Sequence, residues 1–556
     1  MLMRAVLFII VFVVAFRSWA DVAAVAMPDK WSAAAAEAVL LDGGNAVDAA
    51  IAASFVLAVT YPEAGNIGGG GFMTSVVDGE AAFLDFRERA PALAHRDMYL
   101  DEGGDFQQRM SIVGAKASGV PGTVAGMWAA HQRYGTLPWK RLLQPAIALA
   151  WEGFVVPDAL ALMAAEKVVE DAGETNFHQY FGSMRAGKPF KQPELATTLG
   201  LIAEDARAFY SGLPARQLVA TMQASGGLIS MQDLANYRAV WREPIRERWR
   251  DLEVVSAPPP SSGGFALVQL LKLREFADPH FRELWHNGAQ YVHLLAELEK
   301  RVFADRAEYL GDPDFVDVPL PQLLSDDYLK RRAATVNPQA ISAAETVAAG
   351  LESADTTHFS VLDGEGNAVS LTYTLNWEFG SGVVVSGAGY LLNNQMDDFS
   401  AKVGVPNKFG VIGNDRNAIE PGKRMLSSMT PTILLRDGQP ALVLGTPGGS
   451  TIFTSVFQVI LNVYDFSMPL EQAVDVLRFH HQLPAARLIR HDQREVPATT
   501  VAGLEALGYT VQANSWGNLG DVQAIAVNAG KVSAAADARG RGVARTVQIA
   551  APKPPN

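Results

Sequence analysis

Thr356-Thr357-His358-Phe359-Ser360-Val361-Leu362-Asp363 runs through Gly364-Glu365-Gly366 into Asn367-Ala368-Val369-Ser370-Leu371-Thr372-Tyr373-Thr374-Leu375-Asn376. Two alternating runs joined by a short glycine-bearing loop predict a β-hairpin. With Asp363 opposite Asn367, Phe359 faces Leu371 and Val361 faces Val369. Thr356 faces Thr374, His358 faces Thr372 and Ser360 faces Ser370. One face is then apolar and the other small and polar. A slip of one residue mixes the two faces, so the pattern selects this register. Facing side chains in such a pair lie about 5 Å apart at Cβ, which places Thr374 to hydrogen-bond Thr356.

A threonine hydroxyl is a weak nucleophile without a base. No Gly-x-Ser-x-Gly elbow is present to suggest a Ser-His-Asp arrangement. A cut just before Thr356 supplies a base, because a free α-amine titrates near neutral pH, at about 7.7–8.0. From pattern alone, an ordinary hairpin is the competing reading.

Upstream of the hairpin, Ala-rich spacing predicts helix over 33–41. Gly43-Gly44 breaks it, and Asn45 caps a second helix over 46–59. Gly68-Gly69-Gly70-Gly71 precedes an alternating strand through Phe72, Thr74 and Val76. Its spacing is not that of a phosphate loop, so it reads as tight packing or a pocket wall. The stretches 124–134, 142–151 and 289–309 carry helical apolar spacing. Pro258-Pro259-Pro260-Ser261-Ser262-Gly263-Gly264 is an internal loop, and 333–357 an exposed connector. After Thr356 the expected strands are 356–363, 367–376, 383–392, 432–436, 441–446, 509–513 and 522–528, with a helix over 451–465. Mixed strands and helices point to layered sheets flanked by helices.

The chain has 556 residues, 49% hydrophobic and 19% charged, so a large core is expected. A net charge of -13 with no dense Lys/Arg stripe argues against nucleic acid as a partner. There is no cysteine, which removes disulfides, thiol nucleophiles and Cys-type zinc sites. No His/carboxylate spacing suggests a metal. Met1 to Arg4 carry one positive charge, residues 5–16 are apolar and Ser18-Trp19-Ala20 is a small-x-small site. This is the layout of a secretory signal peptide over residues 1–20. Arg17 directly after the apolar run leaves an uncleaved anchor as the alternative. A periplasmic or secreted location is expected.

Asp355-Thr356-Thr357-His358-Phe359-Ser360 resembles the processing site of gamma-glutamyltranspeptidases, members of the N-terminal-nucleophile hydrolases. So, in order, do Tyr373-Thr374-Leu375-Asn376, Leu392-Asn393-Asn394-Gln395-Met396-Asp397-Asp398-Phe399, Ser427-Ser428-Met429-Thr430-Pro431, Gly445-Thr446-Pro447-Gly448-Gly449-Ser450 and Arg478-Phe479-His480-His481-Gln482. In the first half, residues 43–50 and 67–72, Asp85-Phe86-Arg87-Glu88, residues 119–126 and 305–313 are similar too. The likeness runs from about residue 35 to 545.

The resemblance implies an α+β, four-layer αββα sandwich built from two subunits cut from one precursor: a large one over 21–355 and a small one over 356–556. Thr356 is then the nucleophile of self-cleavage and of acyl transfer, and Thr374 tunes it. Gly448 and Gly449 offer N–H groups as an oxyanion hole, worth about 3 kcal/mol per donor. A γ-glutamyl group carries one carboxylate and one ammonium. Arg87 suits the first, with Ser427 and Ser428 as further donors. Asp398 suits the second, with Gln395 and Asn376 as neutral acceptors.

The implied reaction takes glutathione or another γ-glutamyl compound and passes the γ-glutamyl group to water or to an amino-acid or peptide amine. No cofactor is needed. His358, His480 and His481 are read as structural. Two departures stand out. Met27-Pro28-Asp29-Lys30 replaces the family's usual His-Pro, and Phe409 stands in the lid segment, about 403–422, where relatives often carry tyrosine. A less tightly latched lid is expected. The rivals are a glutaryl-type cephalosporin acylase of the same family and an uncleaved, non-catalytic binding protein of the envelope.

Overall fold

The computed structural model describes residues 22–343, 356–402, 405, 414–515 and 517–549. The signal segment, Asp355 and Phe409 fall outside this set.

The hairpin forms in the expected register. Strands Thr357–Leu362 and Ala368–Thr374 pair antiparallel, with Phe359 opposite Leu371, Val361 opposite Val369 and His358 opposite Thr372. The Asp363 N–H donates to Asn367 O at 3.0 Å, and Gly366 takes the left-handed φ of +88° that closes the loop. The two faces do what their composition dictates. Phe359, Val361, Val369, Leu371 and Tyr373 pack into the largest core, under helices. The polar face looks the other way, onto a second sheet. There Ser370 Oγ donates to Leu444 O at 3.0 Å and accepts from Thr432 N at 2.9 Å, while Ser360 Oγ donates to Gln523 O at 3.0 Å.

Two antiparallel sheets are stacked around this seam. The first runs Val543–Gln548, Val22–Met27, Thr357–Leu362, Ala368–Thr374, Gly70–Val77, Glu80–Asp85, Val240–Arg242. The second runs Lys531–Ala536, Gln523–Asn528, Gln439–Gly445, Thr432–Arg436, Leu252–Ser256, Ile245–Trp249. Between them lie Ala24, Ala26, Val76, Leu362 and Ala368 from one side and Val255, Ile433, Val443 and Ile525 from the other. Helices Lys30–Leu41 and Ala46–Thr60 cover the first sheet. Gly263–Phe276, Ala289–Tyr309 and Ile452–Tyr464 cover the second. This is the four-layer αββα sandwich. Each sheet takes strands from both sides of residues 344–355, so ladder hydrogen bonds tie the two halves of the chain together.

Local signals account for much of this. Asn45 caps Ala46–Thr60 in a reciprocal capping box with Asp48. That helix is buried along its whole length, consistent with its small side chains beneath the sheet. The four-glycine run works by close approach. A Cβ at Gly69 would stand 2.1 Å from Thr374 O, and one at Gly71 2.4 Å from Thr372 O.

One expected strand is overturned. Residues 383–392 form turns with a single bridge, Val384 to Leu391, because Gly387 and Gly389 both take positive φ and fold the segment back on itself. The sequence reading also omitted Val22–Met27, Glu80–Asp85, Val240–Arg242, Ile245–Trp249, Leu252–Ser256, Lys531–Ala536 and Val543–Gln548. The strand Val22–Met27 is hidden almost throughout, so it shows no alternation.

Candidate active site

Thr356 lies one residue before the strand Thr357–Leu362 and is only 9% exposed. Thr374 ends the partner strand. The register ends with Tyr373 opposite Thr357, and the next residue on each side, Thr374 and Thr356, lines the same pocket. One pocket gathers Arg87, Thr356, Thr374, Asn376, Gln395, Asp398, Ser427, Ser428 and Gly449, with Met429 and Ile452 as its apolar lining. Gly448 adjoins Gly449 outside the lining. The residues picked from sequence thus come together from six separate segments.

Each segment is held by its own bonds. Arg87 follows the strand Glu80–Asp85, and its N–H donates to Asp85 Oδ1 at 3.0 Å. Gln395 and Asp398 sit on one turn of 3-10 helix, steadied by Gln395 N to Asn393 Oδ1 at 3.0 Å and Asn417 Nδ2 to Asp398 O at 2.7 Å. Asn376 takes φ +83°, which lets its N–H donate to Thr374 Oγ1 at 2.7 Å while Nδ2 reaches Asn394 O at 3.1 Å. The proline-rich loop braces the serines. Ser427 N donates to Pro260 O at 2.9 Å, and Ser262 donates twice to Ser427 O, from N at 2.6 Å and Oγ at 2.7 Å.

Gly448 and Gly449 have φ of +131° and +54°, a turn closed to ordinary side chains. Gly448 O accepts from Thr451 N at 3.0 Å and Thr451 Oγ1 at 2.7 Å, and the chain then enters the helix Ile452–Tyr464. Backbone N–H groups at such a helix entrance favour developing negative charge.

The charges are concentrated and dry. Arg87 Nη2 lies 2.5 Å from Asp398 Oδ2 and donates to Leu426 O at 3.1 Å, while Nε donates to Met425 O at 3.4 Å. Gln395 Nε2 donates to the same Asp398 oxygen at 2.7 Å. Three other polar atoms of this pocket have no hydrogen-bond partner among the described residues: Asp398 Oδ1, Gln395 Oε1 and Ser428 Oγ. Buried polar atoms are costly to leave unpaired, so this group points to a polar ligand.

Sequence reasoning missed two charged neighbours. Glu88 is fully buried, 3.8 Å from Arg87 Nη1, and neither carboxylate oxygen has a hydrogen-bond partner among the described residues. Burial pushes it up to about 8, against the pull of Arg87. Arg306, on the helix Ala289–Tyr309, donates from Nε to Ser262 Oγ at 2.9 Å. Burial lowers it to about 9, opposed by the nearby Asp398. Both belong to stretches on which the family likeness rests, but nothing in their spacing marks them as buried.

His358, His480 and His481 do not line the pocket. His358 bridges Thr372 Oγ1 at 2.8 Å and Ser360 Oγ at 3.1 Å, and burial lowers it to about 3, leaving it neutral.

The chain matches the family model "Gamma-glutamyltranspeptidase" over residues 32–547. It is 57% identical over 536 residues to a glutathione hydrolase proenzyme of Pseudomonas aeruginosa, covering 96% of each chain. The chain belongs to the gamma-glutamyltranspeptidase family. Among solved structures, the cephalosporin acylase from Bacillus halodurans superposes with a TM-score of 0.83 at 27% identity, covering 95% of this chain and 96% of that one. The gamma-glutamyltranspeptidase from Pseudomonas nitroreducens complexed with L-DON is 53% identical, with a TM-score of 0.57 over 58% of this chain and 96% of that one. As a gamma-glutamyltranspeptidase family member, the chain carries its pocket at one end of the seam between the sheets, where the hairpin ends and the Gly448-Gly449 turn meet. Among the described residues no helix is long and apolar enough to cross a membrane.

Proposed function

We propose that this chain is the exported precursor of a gamma-glutamyl transferase and hydrolase. Thr356 Oγ1 attacks the Asp355 carbonyl carbon, the C–N bond breaks to leave an ester, and water hydrolyses that ester, giving a large piece over 21–355 and a small one over 356–556 that stay together as a heterodimer. The freed α-amine of Thr356 takes the proton from its own hydroxyl. Oγ1 attacks the γ-amide carbon of glutathione or a similar compound. The C–N bond breaks, the leaving amine takes the proton, and a γ-glutamyl ester remains on Thr356. Water or an acceptor amine then cleaves that ester and restores the hydroxyl. The N–H groups of Gly448 and Gly449 stabilise the oxyanion in both steps. Thr374, tied to Asn376, orients the nucleophile.

The observation that supports this reading best is the pairing of a buried guanidinium with a carboxylate that keeps one oxygen unbonded, beside Thr356. Arg87, with Ser427 and Ser428, receives the substrate's α-carboxylate. Asp398 Oδ1, with Gln395 Oε1 and the Asn376 side chain, receives its ammonium. A glutaryl group has no ammonium to satisfy Asp398, so γ-glutamyl substrates are favoured over the acylase alternative.

The test is hydrolysis of a γ-glutamyl anilide and of the matching glutaryl anilide by the same preparation. Preference for the γ-glutamyl compound supports the assignment. Preference for the glutaryl compound moves it to the acylase, and inactivity on both leaves a binding protein.

A further inference from the structure

A second cavity shares no lining residue with the pocket that holds Thr356 and Arg87. Its volume is about 520 Å³ and it opens to the surface; the volume is within the ~300–1,000 Å³ typical of small-molecule sites. Its walls include Trp128 and Ala129, on the helix Thr123–Tyr134, and the rings of Tyr210 and Tyr237. Those two rings stack at 5.8 Å between centroids and 7° between planes. The exposed side chains of Arg207 and Arg238 stand at its edge. Arg207 makes no side-chain ion pair among the described residues, and Asp205 beside it accepts the Arg207 backbone N–H at 2.9 Å. Arg238 donates to the carbonyls of Ala235 and Tyr237, at 2.7 and 2.6 Å. The cavity therefore combines an apolar, aromatic interior with a cationic rim.

Its floor is wired to the substrate pocket twice. Tyr237 Oη donates to Arg87 O at 2.8 Å. Arg238 O accepts from Arg424 Nη2 at 2.9 Å, and the next two carbonyls after Arg424 bracket the Arg87 guanidinium. There is little slack, because a Cβ at Gly122 would lie 2.1 Å from Tyr237 Oη and 2.0 Å from Phe86 O. A shift of the Tyr237 ring must be passed to the backbone at residues 86–87.

We propose that this cavity is a regulatory site for a small apolar anion, an aryl or alkyl carboxylate, whose occupancy is felt at Arg87 through Tyr237. The inference rests on the reading of Arg87 as the group that binds the substrate carboxylate. The apolar body of the ligand packs between Trp128 and the tyrosine pair, and its anionic end meets Arg207. The effect falls on substrate affinity, since Arg87 touches the substrate's α-carboxylate and not the reacting carbon.

The test uses the matured enzyme and 8-anilinonaphthalene-1-sulfonate, an aromatic anion, as the probe. Its fluorescence titration is compared in wild type, Ala129→Trp, which fills the cavity, and Arg207→Glu, which reverses a surface charge. Both substitutions are expected to weaken binding by about tenfold. Saturating probe is expected to change KM for a γ-glutamyl anilide by about fivefold, with kcat little altered, and both variants should need about tenfold more probe for the same response. Binding that ignores both substitutions, or a KM that ignores bound probe, overturns the proposal. Arg207→Glu keeps the test open if Ala129→Trp does not fold. Inactivity without probe would instead strike the proposed function, so the two failures are separable.

Discussion

Arg87 and Asp398 are paired at 2.5 Å inside the pocket, with their side chains 1% and 5% exposed. Each is thus the other's counter-charge before any substrate arrives. A zwitterionic γ-glutamyl end can enter by matching both charges at once, whereas a group bearing only one leaves a buried charge unbalanced.

The first prediction follows from that pair. Asp398→Ala should lower kcat/KM for a γ-glutamyl anilide by about 10²–10³-fold, from the lost ammonium contact and the unpaired Arg87. The same substitution should narrow or reverse the preference over a glutaryl anilide. Steady-state kinetics on the two compounds check it. An equal loss on both would show that Asp398 does not read the ammonium.

Glu88 gives a pH prediction. Its folded-state value is raised from 4.5 to about 8, mainly by burial. A raised carboxyl favours the folded state fully below about pH 4.5, and that contribution is lost as pH climbs from there to about 8. Glu88→Gln should therefore flatten the decline in stability across this window, followed by urea midpoints at pH 5, 7 and 9. Function should change in parallel. Above about pH 8 the Glu88 carboxylate competes with the substrate for Arg87, in a cluster that also holds Asp398 and Asp85. KM should rise toward pH 9 in wild type and stay level in Glu88→Gln.

Gly448 should be intolerant of a side chain. Gly448→Ala forces a Cβ to 2.5 Å from Thr451 Oγ1 at a φ of +131°. Displacing the turn should cost about 10²–10³-fold in kcat with a smaller change in KM if, as proposed, the N–H groups act mainly on the transition state. An equal rise in KM with kcat preserved would place the turn among substrate-binding elements instead.

Gly71 tests the close approach of the first sheet to the hairpin. Gly71→Ala brings a methyl group to 2.4 Å from Thr372 O and 2.5 Å from Tyr373 Cβ. It should destabilise the protein by about 1–3 kcal/mol, measured by urea unfolding. An unchanged midpoint would mean that the strands Gly70–Val77 and Ala368–Thr374 are not packed as described.

How much of this could be read from sequence depends on the element. The hairpin register was legible because one wrong step would mix Phe359, Val361 and Leu371 with the polar face, so the pattern selected against it. The helix Ala46–Thr60 was legible from Asn45 and the glycines before it. Val22–Met27 was not, since a strand hidden on both faces has no period. Residues 383–392 misled because their valines and leucines outweighed Gly387 and Gly389, whose positive φ decides the chain path. At the site, Arg87 and Asp398 were found through the company their motifs keep. Glu88 and Arg306 could not be marked as neighbours of the site, because burial of a charge depends on which distant segments cover it.

The proposed mechanism requires residue 356 to become a chain start. Purified protein, and its Thr356→Ala variant, can be separated on a denaturing gel and the smaller band sequenced from its N-terminus. The account predicts two bands in wild type, the smaller beginning Thr-Thr-His-Phe-Ser, and one unprocessed, inactive chain in the variant. A wild-type chain that remains whole across residues 355 and 356 yet hydrolyses γ-glutamyl anilide at full rate would contradict it.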